Sequence, residues 1–150
     1  MGDIEQLEAK FSALIANLSA SKRQALSRNL GRALLVSQRR RITAQQNPDG
    51  SRYEPRKPQK IRRKKGRIRR RAMFVKLKTA RFLKVRSSSN EVTVGFGGRA
   101  STIAEVHQYG KAVTMGKRRK RVTLPQRELL GFSDEDRALI EELVIEQLSL

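Results

Sequence analysis

The chain has 150 residues, 37% hydrophobic and 32% charged, which predicts a single domain with a modest core. It contains no cysteine, which excludes disulfides, thiolate nucleophiles and every zinc site that uses cysteine. The formal net charge is +20, and because self-repulsion of this size opposes compaction, a polyanion or an acidic protein is expected as partner.

The basic residues are concentrated in the middle of the chain. Nearly all of the 34 lysines and arginines lie between residues 22 and 121, where the acids are only Asp49, Glu54, Glu91 and Glu105. The first residues carry acids where a secretory signal would carry positive charge, and no apolar run approaches the roughly 18 residues that span a bilayer. We therefore expect a protein of the reducing cytoplasm that makes no membrane contact.

Two helices are predicted at the start of the chain. Apolar residues from Ile4 to Leu18 recur at steps of three and four, which is typical of one helix face. A capping-box pattern formed by Ser21 and Gln24 opens a second helix, which is apolar on one face and rich in arginine on the other. We expect these helices to pack as an antiparallel helical hairpin over residues 1–46.

A basic arm over residues 47–71 is predicted to follow the hairpin. It opens with the turn sequence Asn47-Pro48-Asp49-Gly50, and beyond the turn it has little that is apolar apart from Tyr53 and two isoleucines. Such a segment cannot bury itself, so we expect it to be flexible and to become ordered only against a partner. Deleting residues 56–71 is accordingly predicted to leave the body of the protein folded.

A small antiparallel sheet is predicted within residues 72–150. Residues 82–86 and 91–96 alternate in hydrophobicity and are joined by a polar connection, which predicts a β-hairpin. Val122 and Leu124 predict a third strand of the same sheet, ended by Pro125.

Helices are predicted around this sheet, which makes the fold class α+β. Residues 73–80 fit both a helix and a strand, and a short helix is favoured. Another short helix is expected before Gly110, and Ser133 is expected to cap a C-terminal helix whose acids face solvent. Leu143 and Val144 belong to the predicted buried stripe of that helix, so replacing them with aspartate should unfold the body.

The sequence offers little support for catalysis or for a bound cofactor. His107 is the only histidine, and without a cysteine or a recognisable nucleophile beside it we expect it to serve packing. Gly95-Phe96-Gly97-Gly98 lacks the pattern of a phosphate-binding loop and predicts a turn at the end of a strand. The scattered acids predict no metal cluster, so no enzyme, metal or cofactor is expected.

The dense cations remain as the candidate functional residues. They are predicted to contact duplex phosphates or an acidic partner without choosing a base sequence, because the aromatic residues needed for base stacking are scarce. The candidate residues of the arm are Arg56, Lys57, Lys60, Arg62, Arg63, Lys64, Lys65, Arg67, Arg69, Arg70 and Arg71, and those of a second cluster are Lys117, Arg118, Arg119 and Lys120.

Four stretches, taken in order, resemble the phage virion morphogenesis family of contractile-tailed temperate phages. They are Arg41-Ile42-Thr43-Ala44-Gln45 followed by Pro48-Asp49-Gly50-Ser51-Arg52-Tyr53-Glu54-Pro55-Arg56, Met73-Phe74-Val75-Lys76-Leu77 with Arg81-Phe82-Leu83, Ile103-Ala104-Glu105-Val106-His107-Gln108-Tyr109-Gly110, and Leu124-Pro125-Gln126-Arg127-Glu128-Leu129-Leu130-Gly131. Gln126 and Glu128 depart from the family, which often has Ala and Pro there, and this departure predicts a less rigid turn.

The resemblance implies a structural protein of the virion tail and neck, assembled in the host cytoplasm. It implies tail completion of the terminator type and head–tail joining by a ring of identical subunits, a hexamer, around the genomic DNA. Neighbouring neck, connector and tail tube or sheath proteins would be its partners, and His107 and Gln108 would be structural. A nucleic-acid-binding protein of host or phage, blind to base sequence, remains the alternative, and a nuclease the least favoured.

Overall fold

The computed structural model describes residues 15–56 and 72–150. Within these residues the elements are α1 Ala20–Thr43, β1 Leu83–Ser87, β2 Val92–Phe96, α2 Arg99–Tyr109, β3 Ala112–Met115, β4 Lys120–Thr123 and α3 Asp134–Leu148. The α+β class is confirmed. Most of the first helix of the predicted helical hairpin lies outside the described residues. No helix in the described part of the chain is long and apolar enough to cross a membrane.

Helix α1 begins two residues earlier than predicted. Ser19 is in an extended conformation, and its side chain accepts a hydrogen bond from the backbone N–H of Lys22 at 3.2 Å. Ser19 is therefore the N-cap, and Ser21 lies inside the first turn. At the other end the chain turns at Gln45, which has a positive φ of 59°.

The prediction of a flexible arm over residues 47–71 was wrong for its first part. Tyr53 is only 4% exposed and shares a core cluster with Ile42, Met73 and Leu129. Its hydroxyl donates to the carbonyl of Glu128 at 3.1 Å. One aromatic ring with a fitting pocket is enough to anchor a segment that has few other apolar residues. Residues 57–71, the rest of the predicted arm, lie outside the described residues.

The short helix predicted over residues 73–80 does not form, and the chain runs through a series of turns instead. Phe74 has a φ of 65°, which a continuous right-handed helix cannot contain. The side chain of Gln45 takes up both backbone groups of Met73, which a helix would otherwise use. It donates to the carbonyl of Met73 at 2.9 Å and accepts from the N–H of the same residue at 2.8 Å.

The predicted hairpin is confirmed, with β1 and β2 antiparallel and Val85 opposite Val94. It packs so closely on α1 that a Cβ added to Gly31 would lie 2.6 Å from Val85 Cγ1. The prediction of a third strand in this sheet was wrong. Val122 lies in β4, which pairs with β3 to form a separate two-stranded sheet, because the chain on either side of Gly116 closes on itself.

Helices α2 and α3 confirm the predicted stop and cap signals. Gly110 ends α2 in the left-handed conformation with φ 64°, and Ser133 caps α3 in a capping box with Asp136. Val144 is buried, as predicted, and it shares a core cluster with Leu26 of α1. Leu143, predicted to share that burial, is only partly buried, since it lines a groove between α1 and α3.

Candidate nucleic-acid or acidic-partner interface

The described residues include only part of the predicted contact set. Arg56 is exposed at the end of the ordered segment that contains Tyr53. The cations of the second cluster lie at the turn between β3 and β4. Lys57, Lys60, Arg62, Arg63, Lys64, Lys65, Arg67, Arg69, Arg70 and Arg71 lie outside the described residues. Contact with DNA or an acidic protein stays a prediction for all of them.

The β3–β4 hairpin, residues 112–123, presents its cations to solvent. Residues 114–121 are all exposed, and Met115 stands opposite Lys120 at the end of the ladder. The backbone N–H of Arg119 donates to the carbonyl of Gly116 at 3.1 Å and closes the turn. None of the side chains from Lys117 to Lys120 has a hydrogen bond or ion pair with another described residue, which leaves their charge for a partner.

Further exposed cations lie on α1 and on the outer face of β1. Arg28 and Arg32 of α1 are exposed, in agreement with the predicted cationic face. Lys84 and Arg86 are exposed as well, because strand alternation turns them away from α1 while Val85 faces it. Sequence reasoning missed these two, since it searched for runs of charge. The period-two alternation of β1 was the signal that could have found them.

Two arginines that contribute to the net charge are buried and have fixed partners. The first is Arg41, 8% exposed, whose Nη1 lies 2.9 Å from Oδ2 of the fully buried Asp136. Its Nη2 donates to the carbonyl of Gly131 at 3.1 Å and to Oε1 of Gln38. Asp136 was predicted to face solvent with the other acids of α3, and this was wrong, because its carboxylate joins α3 to α1.

Several donors stabilise the charged form of Asp136. Burial by itself acts to raise the pKa of this carboxyl. The hydrogen bonds from the hydroxyl of Ser37 and the backbone N–H of Ser133, together with the charge of Arg41, outweigh burial and hold the pKa below its usual value of 3.8. Asp136 is therefore ionised at neutral pH.

The second buried arginine is Arg127, which is 4% exposed and ties the turn after β4 to the segment that contains Tyr53. Its Nε donates to the carbonyl of Glu54 at 2.7 Å and its Nη2 to that of Pro55 at 3.3 Å. Burial lowers the pKa of Arg127 below its ordinary value. Arg127, to which the sequence analysis assigned no role, therefore connects two segments of the body.

His107 is half-buried between this arginine and an aromatic ring. Its Nδ1 lies 3.4 Å from Nη1 of Arg127, and its ring meets that of Phe74 edge-on, with the centroids 4.9 Å apart. Burial lowers the pKa of His107, and the charge of Arg127 lowers it further, so the imidazole is neutral at pH 7. These contacts agree with the structural role that the resemblance implied.

Gln108 fixes the turn in which the sequence departs from the family pattern. Its Oε1 accepts from the N–H groups of Leu129 at 2.9 Å and Leu130 at 3.0 Å, and its Nε2 donates to the carbonyl of Leu130 at 2.8 Å. Gln126 adds a bond from its own Nε2 to the carbonyl of Gln108 at 3.1 Å. Side-chain amides thus hold this turn, in which Gln126 and Glu128 stand where the family often has Ala and Pro.

A metal centre finds no support in the part of the chain that the structure describes. No group of three or more histidine, aspartate or glutamate side chains in residues 15–56 and 72–150 could hold an ion. The chemistry present is that of a hydrogen-bonded framework with cations on its outside, which is suited to binding and assembly.

Comparison with known proteins gives this architecture a family. The model of the phage virion morphogenesis family matches residues 2–149, and the chain belongs to that family. It is 42% identical over 149 residues, which are 99% of each chain, to the tail completion protein S of Escherichia phage P2. The resemblance drawn from the sequence is confirmed. No solved structure matches the chain.

Proposed function

We propose that this protein completes the tail of a phage and does so as a structural, non-catalytic component of the virion. The proposal is carried by the 42% identity to a tail completion protein, which extends over 99% of both chains. His107, the single histidine, is engaged with Phe74 and Arg127 and so has a packing role.

We further propose that identical subunits form a ring at the head end of the tail, around the path of the genomic DNA. The net charge of +20 and the exposed cations of α1, β1 and the β3–β4 hairpin support this arrangement. Cations near a lumen offset phosphate repulsion without holding any one sequence, so DNA can slide past them. The expected form of the ring is a hexamer. Its neighbours in the virion would be neck, connector and tail tube or sheath proteins.

The charge also supports a second candidate, a protein that binds nucleic acid without sequence choice. Both candidates predict affinity for DNA that falls steeply as salt rises. They differ in assembly, because a ring component forms one closed oligomer, whereas a simple binding protein stays a monomer or dimer. Light scattering on the purified chain separates them.

The tail completion role is tested in the phage that encodes the chain. With the gene disrupted, negative-stain images of lysates should show full heads and separate tails whose head ends are unfinished, and plaques should be lost. A plasmid copy of the intact gene should restore joined particles. Normal yields of infectious particles from the disrupted phage would exclude the proposed function.

A further inference from the structure

The outer part of the β3–β4 hairpin packs on no other part of the described chain, whereas Ala112, Val113 and Val122 at its base are partly buried. Residues 114–121 are exposed on both strands, and Met115 is 47% exposed at the end of the ladder. A two-stranded hairpin with so little packing is only marginally stable in water. A surface that covers one side of it, and that is not part of the same subunit, would therefore stabilise it.

Helix α3 carries a surface of the opposite character. Its exposed residues Glu135, Ala138, Glu142, Ile145 and Ser149 follow one another at steps of three and four, so they form one stripe along the helix. Ile145 is 48% exposed, and Glu146 is exposed beside it. The exposed face of α3 is thus both acidic and apolar, on a chain whose net charge is +20.

A groove borders this face and adds apolar surface to it. It lies between α1 and α3, has a volume of about 820 Å³, and is lined on the α3 side by Leu139 and Leu143. The α1 side carries Arg32 and Arg40, so a basic guest is favoured on the α3 side only. DNA is disfavoured on α3, because carboxylates repel phosphates.

We propose that the β3–β4 hairpin of one subunit docks on the exposed face of α3 in a second copy. Met115 would lie against Ile145, and the cations of residues 117–121 beside Glu135, Glu142 and Glu146. Both surfaces are exposed in one chain, so this contact does not form within a subunit. Two different patches on each subunit make a head-to-tail contact, which closes into a ring when the rotation is right. The inference rests on the ring proposed above and names its interface.

Exchange of the charges tests this docking. R118E/K120E reverses two cations of the hairpin, and E142K/E146K reverses two acids of α3. We expect each double variant to weaken self-association roughly 10- to 100-fold, measured by sedimentation, because it sets like charges against each other. The chain with all four changes should recover wild-type association to within about threefold, since attraction is restored with the signs exchanged.

K76E/R99E is the matched control for the hairpin. It makes the same change of charge at two exposed residues that belong to neither docking surface, and should assemble like the wild type. Circular dichroism must show unchanged thermal unfolding of the monomer in every variant, which separates lost docking from lost folding. DNA affinity is measured alongside at fixed salt.

The outcomes separate this docking from the ring itself. Assembly of R118E/K120E at wild-type strength overturns the docking, and so does failure of the fourfold variant to recover. If R118E/K120E loses only DNA affinity and stays assembled, the hairpin serves DNA and the docking is wrong. A wild-type chain that remains monomeric overturns the ring as well.

Cross-linking gives an independent readout, because the chain has no cysteine of its own. Met115→Cys combined with Ile145→Cys should give a ladder of covalent oligomers on non-reducing gels under mild oxidation. Either substitution alone should give no species larger than a dimer. A doubly substituted chain that assembles yet forms no ladder contradicts the proposed contact.

Discussion

Arginine serves two opposite purposes in the body and in the β3–β4 hairpin. In the body, Arg41 and Arg127 are 8% and 4% exposed, and their guanidinium groups are bonded to a carboxylate and to backbone carbonyls. In the hairpin, Arg118 and Arg119 are exposed and have no side-chain bond to another described residue. The net charge of +20 counts both kinds alike. Only the second kind can meet a partner.

This difference shows that burial and hydrogen bonding decide whether an arginine stabilises the fold or is available to a partner. A buried guanidinium must have partners, because an unpaired charge in the interior is very costly. An exposed one is solvated, and a surface ion pair contributes little to folding. Substitutions in the body should therefore change stability, whereas substitutions in the hairpin should change association and leave stability almost unaltered.

The largest effect should come from placing a charge in the contact between α1 and α3. Val144→Asp buries an unpaired carboxylate against Leu26, and we expect a loss of at least about 4 kcal/mol in unfolding free energy, enough to unfold the chain. Leu143→Asp, one residue earlier and only partly buried, should cost about 1 kcal/mol. Urea unfolding of both checks this contrast. Equal losses would mean that the two residues do not lie on different faces.

Removal of the buried carboxylate should come next. Asp136→Ala leaves Arg41 without its counter-ion and removes the side-chain half of the capping box of α3, so we expect a loss of about 3–5 kcal/mol. Glu142→Ala, on the exposed face of the same helix, is the control and should cost less than about 0.5 kcal/mol. Chemical denaturation measures both.

The same carboxylate should also make stability depend on pH. The folded pKa of Asp136 is lower than the unfolded value, so the folded state binds fewer protons and gains stability from the charged form above pH 3.8. That stability is lost as the pH falls through the folded pKa. Asp136→Asn should flatten the acid side of the pH–stability curve. An unchanged acid limb would show that the ion pair contributes little.

Local signals in the sequence predicted the helix ends and the first hairpin better than they predicted which strands pair with each other. The cap at Ser133 and the stop at Gly110 depend on neighbouring residues, and both were found where the sequence places them. The β1–β2 hairpin follows from alternation and was found as well. The extra sheet was missed because β3 is short and its cationic turn looked like a binding cluster rather than a hairpin.

Burial of polar residues depends on contacts between distant parts of the chain, which no local pattern reveals. Asp136 has the same appearance as the exposed acids beside it until Arg41 of α1 is brought against it. Tyr53 stands in a polar segment and gives no sign of the pocket formed by Ile42, Met73 and Leu129. The exposed cations of the hairpin, by contrast, were predicted from density alone, since exposure needs no partner.

A smaller effect is expected at the phenol of Tyr53. Tyr53→Phe removes one hydrogen bond to the carbonyl of Glu128 and should cost about 1 kcal/mol at neutral pH. Burial raises the pKa of Tyr53 to about 12, so the folded state keeps this proton longer than the unfolded state does. Stability should therefore fall between pH 10 and pH 12, and less so in Tyr53→Phe. Identical alkaline curves would contradict the burial of this ring.

The smallest change, and the only gain, is expected at the tip of the hairpin. Arg119 has a φ of 52°, a left-handed conformation that glycine adopts readily and that strains a residue with a Cβ. Arg119→Gly should therefore raise the unfolding free energy by about 0.5 kcal/mol, while Arg118→Ala should leave it unchanged within about 0.5 kcal/mol. Both should weaken self-association, because each removes a cation of the proposed contact with α3 of the next subunit. A loss of stability in either variant would mean that the tip packs on its own body, and the contrast between the two kinds of arginine would then not hold.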